Sequence, residues 1–366
     1  MQTVAAFTDT YLPTVNGVTY TVQAWRKRWL DRGGRMDVVF PGAPDYDPED
    51  GEYTTRSFGF PFYEGFRFGL PGVPDEVADA DVVHAHTPFA LGLSALYLAC
   101  RIDAPLVASY HTPTSEYADY IANGRPADAL EGVARRYERW YLNRARAVVV
   151  PSEPAREHLR DIGIDAPVSV VPNGVDTEFF SRVADDREFR ERYGLPDGPL
   201  VGYTGRHGFE KDLTEIPAAL ARADTDATLV VGGDGPARGA LEAAAADHGL
   251  DARFLGFLPR EDLPAFYSAL DAFLFPSPVE TQGLVALEAN ACGTPVVGVN
   301  DGALADTVVD GRTGHHFARE DTADFAAAIE RTLAATDSLS EACLDRREET
   351  SVEHAVDRLA EVYDDL

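Results

Sequence analysis

The sequence predicts an α/β protein made of two doubly wound domains, each a parallel sheet covered by helices on both faces. Three observations support this fold class. The chain has 366 residues, more than one ordinary domain holds. Short, nearly continuous apolar runs alternate with helical stretches, which is typical of buried parallel strands. The alternation occurs as two series in succession, so two sheets are expected.

The predicted strands follow the chain in two groups. In the first group they cover residues 3–9, 36–42, 54–58, 81–86, 105–111, 147–153 and 168–174. In the second group they cover residues 199–205, 227–235, 253–258, 272–277 and 295–300. Ligands of parallel α/β sheets bind beyond the carboxyl ends of the strands, and two such domains can hold a ligand in a cleft between them.

The domain boundary is predicted inside the segment 172–194, where turn residues precede a polar, helix-like run. We therefore assign residues 1–176 to the first domain and 177–350 to the second. A last helix is predicted over residues 351–366. Its apolar residues recur every three or four positions, so one face is expected to pack on another element.

Composition excludes some classes of protein. The net charge is −29, with 61 acidic against 32 basic residues, and the only lysines are Lys27 and Lys211. Such a surface argues against nucleic-acid binding, which needs cations for the phosphates. It favours a halophile's cytosol, where salt screens the surface charge, although a merely acidic protein is the alternative.

The first residues lack the pattern of a signal peptide, so a cytoplasmic location is expected. The three cysteines show no disulfide or zinc spacing.

The stretch VETQGLVALEANACGTP (279–295) places two glutamates, Glu280 and Glu288, around a glycine, Gly283. If a helix begins near Gly283, its N-terminus can bind a phosphate, because free N–H groups and partial positive charge meet there. Carboxylates commonly accept hydrogen bonds from sugar or ribose hydroxyls. The alternative, a solvated helix face with an acidic first turn, fits the spacing equally well.

Two cations follow the first strand of the second domain in GYTGRHGFEKDL (202–213). Arg206 and Lys211 can neutralise a diphosphate there, and their place at a strand end favours this over ordinary surface charge. In the first domain, Asn16-Gly17 forms a turn before a helix. Gly17 either lets backbone N–H groups approach a phosphate or serves only the turn.

Three histidines end strands of the first domain. His84 and His86 end one strand and His111 ends the next. No further ligands at suitable spacing follow, so a metal site is disfavoured. Hydrogen bonds to a polyhydroxylated ligand are the preferred interpretation for His111, and a structural role stays open for the other two. The sequence GGDGPARG (232–239) is not a dinucleotide fingerprint, because its glycine spacing is wrong, which disfavours a dehydrogenase.

Taken in order, several motifs resemble the retaining, nucleotide-sugar-dependent glycosyltransferases of the group 1 type, which have two Rossmann-like domains facing a cleft, the GT-B fold. The resemblance covers most of the chain. It rests on PTVNGV (13–18), HAHTPFALG (84–92), SYHT (109–112), VPNGVD (171–176), GRHGFEK (205–211), VGGDGP (231–236), LGFLP (255–259) and ETQGLVALEANACGTPVV (280–297).

The resemblance implies a role for each residue of the donor site. Glu280 is expected to contact hydroxyls of the donor sugar, Glu288 the ribose, and His111 lies beside the reacting sugar. Arg206 and Lys211 are expected to bind the diphosphate, and Gly17 to contact a phosphate from the other domain. The backbone N–H groups of Gly283, Leu284 and Val285 are expected to meet the diphosphate and the sugar. It also implies catalysis without a metal or a cofactor other than the nucleotide sugar, and a terminal helix that returns to the first domain.

One departure narrows the resemblance. Gln282 stands where many relatives have phenylalanine before the glycine. ETQGLV, with SYHT followed by Tyr117 and Tyr120, looks most like the branch that glycosylates diacylglycerol-type lipids. This implies a hexosyltransferase that moves a hexose, from a UDP-sugar by preference, to a membrane lipid or lipid-linked glycan. The acceptor-side candidates are His84, His86 and Tyr117.

Two helices rich in tryptophan and arginine, 23–32 and 134–146, raise the hypothesis of peripheral contact with the inner face of the membrane. Packing on the sheet with the arginines outside is the preferred alternative. Two rival functions also remain: a nucleotide-sugar epimerase on the same architecture, and a non-catalytic sugar-nucleotide-binding protein.

Overall fold

The computed structural model describes residues 1–59, 67–111 and 127–366, with the side chains of 127–131 left out. The chain divides into two compact units. The first comprises Met1–Asn173 and Val352–Leu366, and the second comprises Gly174–Ser351. The boundary assigned from the sequence, between 176 and 177, lies just beyond this division.

Among the described residues of the first unit, seven parallel strands form one sheet in the order β3-β2-β1-β6-β7-β8-β9, and β4 and β5 form an antiparallel pair. The strands are β1 (Thr3–Phe7), β2 (Arg35–Pro41), β3 (Glu52–Thr55), β4 (Ser57–Gly59), β5 (Arg67–Gly69), β6 (Val82–Ala85), β7 (Leu106–Ser109), β8 (Ala147–Val150) and β9 (Val168–Val170). The helices of this part of the chain are α1 (Gly17–Asp31), α2 (Ala90–Ile102), α3 (Ala127–Leu142) and α4 (Glu153–Asp161).

The second unit contains a six-stranded parallel sheet in the order β12-β11-β10-β13-β14-β15. Its strands are β10 (Leu200–Thr204), β11 (Thr228–Gly232), β12 (Ala252–Gly256), β13 (Ala272–Phe275), β14 (Val296–Val299) and β15 (Gly314–Phe317). Its helices are α5 (Arg187–Tyr193), α6 (Glu215–Leu220), α7 (Arg238–Asp247), α8 (Leu263–Ser268), α9 (Leu284–Ala291), α10 (Leu304–Thr307), α11 (Thr322–Ala334) and α12 (Thr336–Asp345).

The observed strands confirm the predicted runs, and β1, β6, β10 and β13 are buried almost throughout. Most predicted runs extend too far at their carboxyl ends, because they include the first loop residues, which are mostly polar, glycine or proline, as at 8–9, 151–153 and 233–235. The run predicted over 54–58 is two strands, β3 and β4, which belong to different sheets. The sequence missed β15, a four-residue strand that contains two histidines.

The terminal helix, α13 (Val352–Asp364), belongs to the first unit. Its buried residues include Val356, Leu359 and Tyr363, which join the same core as the tryptophans of α1. Ion pairs border the contact, because Arg28 of α1 meets Glu353 and Arg32 lies 2.6 Å from Asp357. The apolar stripe predicted from the sequence therefore packs on α1.

Helix α1 contradicts one of the two membrane hypotheses. Trp25 is 1% exposed and Trp29 is 0% exposed, so neither tryptophan is at the surface. Arg26 and Arg28 pair with Glu52 and Glu353. The preferred alternative is observed for the tryptophans, which pack inward, but its arginines are not all outside, because Arg28 is 9% exposed.

Within the described residues, no helix combines the length and apolar character needed to cross a bilayer. The same part of the chain holds no cluster of three or more His, Cys, Asp or Glu side chains suited to a metal ion.

Candidate functional site

In the second unit, the loops after β10 and β13 bring two predicted site residues into contact. Lys211 Nζ donates to Glu280 Oε1, and Ser277 Oγ donates to the same oxygen over 2.9 Å. The side chains of Lys211 and Glu280 are 16% and 15% exposed. The two residues are 69 apart in sequence, and they meet because β10 and β13 are neighbours in the sheet.

Arg206 lies at the carboxyl end of β10, as predicted. Its guanidinium pairs with Glu210, and both side chains are about one-third exposed. Its backbone carbonyl accepts a hydrogen bond from the buried Tyr203 hydroxyl over 3.3 Å. Burial raises the pKa of Tyr203, and the charge of Glu280 raises it further, so the hydroxyl keeps its proton. Neither motif spacing nor charge pattern singles out Tyr203 or Glu210 in the sequence.

Gly283 precedes α9 in a conformation that favours glycine. Its φ is +77°, and a Cβ there would lie 2.8 Å from Leu304 Cδ2 and 3.2 Å from Phe275 Cε1. The helix begins at Leu284, so the N–H groups of its first turn, including that of Val285, have no partner within the helix. The predicted helix start is confirmed, and its N-terminus suits an anion.

Gln282, the departure from the common motif, is buried. Its backbone carbonyl accepts a hydrogen bond from Thr307 Oγ1 over 2.5 Å, which connects the loop before α9 to α10. Gln282 is therefore a buried residue of the loop before α9 and not a surface residue.

Glu288 lies in the second turn of α9 and is half-buried. Tyr267 donates its hydroxyl to Glu288 Oε2 over 2.7 Å. Burial raises the pKa of Glu288 to about 7, while the Tyr267 hydrogen bond and the charge of Arg260 oppose this rise. Arg260 lies over the rings of Phe179 and Phe180, 4.9 and 5.5 Å from their centroids. No sequence motif singles out Tyr267, which lies in the short helix α8.

Two glycine-containing loops interlock beside this site. His207 donates its backbone N–H to the Asp234 carbonyl over 2.8 Å, and its Nε2 hydrogen-bonds the Gly232 carbonyl at 2.9 Å. A Cβ on Gly233 would lie 1.9 Å from the Gly205 oxygen. The glycines of GGDGPARG therefore allow close packing against the loop that carries Arg206.

Gly17 is the exposed first residue of α1 in the first unit. Asn16 caps the helix, because its Oδ1 accepts the Thr19 N–H over 3.0 Å, and its Nδ2 donates to Thr10 Oγ1 over 2.7 Å. The predicted turn before a helix is present, and the role of Gly17 toward phosphate stays a prediction.

The three strand-end histidines form a buried stack. The ring centroids of His84 and His86 are 4.2 Å apart, and those of His86 and His111 are 5.4 Å apart. Burial lowers the pKa of His84 to about 3 and that of His111 to about 4, with the pKa of His86 also well below its usual value, so all three are neutral at pH 7.

His84 has protein partners at both ring nitrogens, the hydroxyls of Tyr363 and Ser109, and is fully buried. These contacts favour the structural role that the sequence left open for His84, and the acceptor-side role of His84 and His86 stays a prediction. Tyr117, the third acceptor-side candidate, lies outside the described residues.

Comparison with known proteins gives two family matches and several relatives. Residues 15–179 match Glycosyltransferase Family 4, and residues 185–348 match Glycosyl transferases group 1. The chain is 28% identical to an alpha-monoglucosyldiacylglycerol synthase of Streptococcus pneumoniae, over 98% of this chain and 85% of that protein. It is 32% identical to a GDP-mannose-dependent alpha-mannosyltransferase of Mycolicibacterium smegmatis, over 85% and 83% of the two proteins.

Solved structures show the same fold at low identity. The chain superposes on a sucrose-phosphate synthase from Thermosynechococcus elongatus with a TM-score of 0.79 and 23% identity, covering 100% and 99% of the two chains. It superposes on Anabaena Alr3699/HepE in complex with UDP with a TM-score of 0.79 and 18% identity, covering 100% of both chains.

Proposed function

The chain belongs to the group 1 glycosyltransferases and has their GT-B fold, and from this premise we propose that it transfers a hexose from a nucleoside-diphosphate sugar to a hydroxyl acceptor with retention at the anomeric carbon. UDP-sugars are the favoured donors, and a membrane lipid or lipid-linked glycan is the proposed acceptor. The observation that carries the proposal is the contact of Lys211 with Glu280 close to the N-terminus of α9.

In the proposed donor site, positive charge binds the diphosphate and carboxylates bind the sugar and ribose hydroxyls. Lys211, Arg206 and the first N–H groups of α9 bind the diphosphate and stabilise the charge that develops as it leaves. Glu280 accepts hydrogen bonds from hydroxyls of the transferred sugar, and Glu288 from the ribose. Because Lys211 and Glu280 already pair, a bound donor would share this cation, with phosphate on one side and carboxylate on the other.

The proposed reaction breaks the bond between the anomeric carbon and the diphosphate oxygen, whose electron pair leaves with the diphosphate, and forms a bond from that carbon to the acceptor oxygen on the same face. The proton of the acceptor hydroxyl passes to the departing diphosphate. The cations lower the energy of the departing diphosphate, so the enzyme needs no cofactor beyond the donor. We assign no covalent nucleophile. Metal independence is part of the proposal, and full turnover after treatment with EDTA is its test.

A surface of the first unit supports a lipid acceptor. Helix α3 and the residues after it carry five arginines and one glutamate over 132–146, in a chain of net charge −29. Trp140 is 42% exposed and lies 4.0 Å beneath the Arg144 guanidinium. Exposed tryptophan and arginine side chains together suit the headgroup region of an anionic membrane.

Vesicle sedimentation tests this contact. Wild-type protein should bind vesicles that contain phosphatidylglycerol and not pure phosphatidylcholine vesicles, and added salt should weaken the binding. Trp140→Ala should reduce binding, while Phe58→Ala, which removes an exposed aromatic side chain elsewhere in the unit, should not. Equal binding by both variants would remove α3 from the contact.

The experiment that tests the function is a donor and acceptor screen. Purified protein is incubated with UDP-, GDP- and ADP-hexoses, each with diacylglycerol, monoglycosyl diacylglycerol or soluble glycans, and products are identified by mass spectrometry and proton NMR. An α-linked product from an α-linked donor supports the proposal. Conversion of the donor to an epimer without an acceptor would establish the epimerase instead, and donor binding without any product would indicate a non-catalytic protein.

A further inference from the structure

The strongest unassigned feature is the chain of buried polar contacts that leads from the terminal helix to His111. Tyr363 of α13 is 3% exposed, and its hydroxyl lies 2.5 Å from His84 Nδ1. His84 Nε2 lies 2.8 Å from Ser109 Oγ, on the strand that ends just before His111. A ring with a hydrogen bond at each nitrogen has its plane fixed by its partners, while two hydroxyl partners accommodate either tautomer.

The next link joins His86 to His111. The His84 ring stacks on His86 at 4.2 Å, and His86 Nδ1 lies 3.1 Å from His111 Nε2. Trp25 borders all three rings, with centroid distances of 5.8 to 6.3 Å. The stack therefore has packed partners on its sides as well as hydrogen bonds within it.

The hydrogen bonds favour one arrangement of protons. Within the described residues, His86 Nε2 is buried and has no hydrogen-bond partner. A buried N–H without an acceptor is costly, so the proton of neutral His86 is better placed on Nδ1, where it is donated to His111 Nε2. His111 then carries its own proton on Nδ1. The Asn173 side chain raises the pKa of His111, which is the effect of a group that accepts a hydrogen bond from the ring.

We propose that Tyr363 and His84 are positioning residues: through the stack and through Ser109 they hold His111 as a neutral imidazole with one tautomer and one ring plane. Two routes reach His111, one through the stacked His86 ring and one through the backbone of β7. The inference rests on the proposed function and on the expectation from the family resemblance that His111 lies beside the reacting sugar. It gives the terminal helix a part in catalysis beyond completing the core.

Tyr363→Phe tests the proposal because it removes only the hydroxyl. Turnover should fall about tenfold or more, with the donor KM little changed, since a misplaced group beside the reacting atoms lowers the rate of the chemical step. Tyr46→Phe is the matched control, because it removes a hydroxyl that donates to Glu52 in the same unit and lies outside the stack. It should keep wild-type turnover.

A second readout does not depend on activity. In protein with nitrogen-15-labelled histidine, protonated and bare ring nitrogens have different chemical shifts, so the His111 tautomer is read directly. Wild type should show one tautomer with the proton on Nδ1, because His86 donates to His111 Nε2. Tyr363→Phe and Ser109→Ala each release the His84 ring on which His86 stacks, so the His86–His111 hydrogen bond should weaken and His111 should show a mixture of tautomers. An unchanged His111 signal in both folded variants overturns the proposal. Absence of transfer by the wild-type protein overturns the proposed function instead and leaves the spectroscopic test standing.

Discussion

At the scale of the residue, the cations of the second unit are the first test of the donor site. Lys211→Ala and Arg206→Ala should each lower turnover by two to three orders of magnitude, because each removes charge stabilisation worth about 3 kcal/mol or more. Arg253→Ala is the control, since Arg253 is an exposed cation paired with Asp251 in the same unit. Steady-state kinetics and circular dichroism check the result. Near-normal turnover by either site variant would remove that residue from the mechanism.

The two glutamates should divide their effects between binding and rate. In the proposed site Glu280 positions the transferring sugar, so Glu280→Ala should lower kcat more than it raises the apparent donor constant. Glu288 is proposed to contact ribose in substrate and transition state alike, so Glu288→Ala should mainly weaken donor binding.

Glu191→Ala, an exposed change on α5, is the control for these two variants. Steady-state kinetics over a range of donor concentrations separates the effects. If Glu280→Ala alters only donor affinity, or Glu288→Ala abolishes turnover with donor still bound, the roles are reversed.

The raised pKa of Glu288 predicts a dependence of stability on pH. Its folded pKa of about 7 lies above the ordinary glutamate value of 4.5, so the folded protein holds this proton more tightly than the unfolded chain. The resulting stabilisation is complete at pH values below the ordinary glutamate pKa of 4.5, and it is lost as the pH rises through the folded pKa of about 7. Glu288→Gln lacks this titration.

Thermal melts of both proteins from pH 5 to pH 8 measure the effect as a difference. The melting temperature of Glu288→Gln minus that of wild type should increase as the pH rises from 5 to 8. A difference that stays constant would show that Glu288 titrates near its ordinary pKa in the folded protein.

At the scale of the element, the terminal helix should stabilise the first unit. Leu359 is fully buried in the core shared by α13 and α1, so Leu359→Ala should lower the free energy of unfolding by about 2 to 5 kcal/mol. Leu30→Ala, which shortens a 41% exposed side chain on α1, should cost far less. Urea denaturation followed by tryptophan fluorescence reports on this region, because Trp25 and Trp29 pack there. Equal losses from the two changes would contradict the packing argument.

Sequence patterns predicted elements better than their ends. Strands such as β10 and β13 were evident because buried parallel strands are apolar on both faces. The short strand β15 was missed because its two histidines interrupt that pattern, and only pairing with β14 makes it a strand. The run 54–58 was read as one strand because local pattern does not reveal that β3 and β4 join different sheets.

At the scale of the whole molecule, the surplus of acidic residues should make stability depend on salt. With a net charge of −29, self-repulsion opposes the compact state, and salt screens it over a Debye length of about 3 Å at 1 M. The melting temperature should therefore rise from 0.05 M to 2 M potassium chloride. Sucrose at matched osmolality is the control, because it leaves the charges unscreened. A melting temperature that falls steadily with added potassium chloride would contradict the halophilic hypothesis.

The sequence by itself determined the fold class, the family and the positions of Glu280, Gly283, Glu288, Arg206 and Lys211. The fold class follows from local pattern, because apolar runs mark strands. The family follows from the ordered set of motifs, and the phosphate and sugar site that those motifs imply stays a prediction. Composition also determined the acidic surface.

Only the tertiary structure decided which of these side chains meet and what surrounds them. The pairing of Lys211 with Glu280 depends on the adjacency of β10 and β13, strands separated by two others in the chain. Tyr267 beside Glu288 and Tyr363 beside His84 depend on how helices pack, because a tyrosine in a helix looks the same whether it fills the core or orients a site residue. Burial also assigned Trp25 to the core and Trp140 to the surface, since the sequence gives both the same aromatic and basic neighbours.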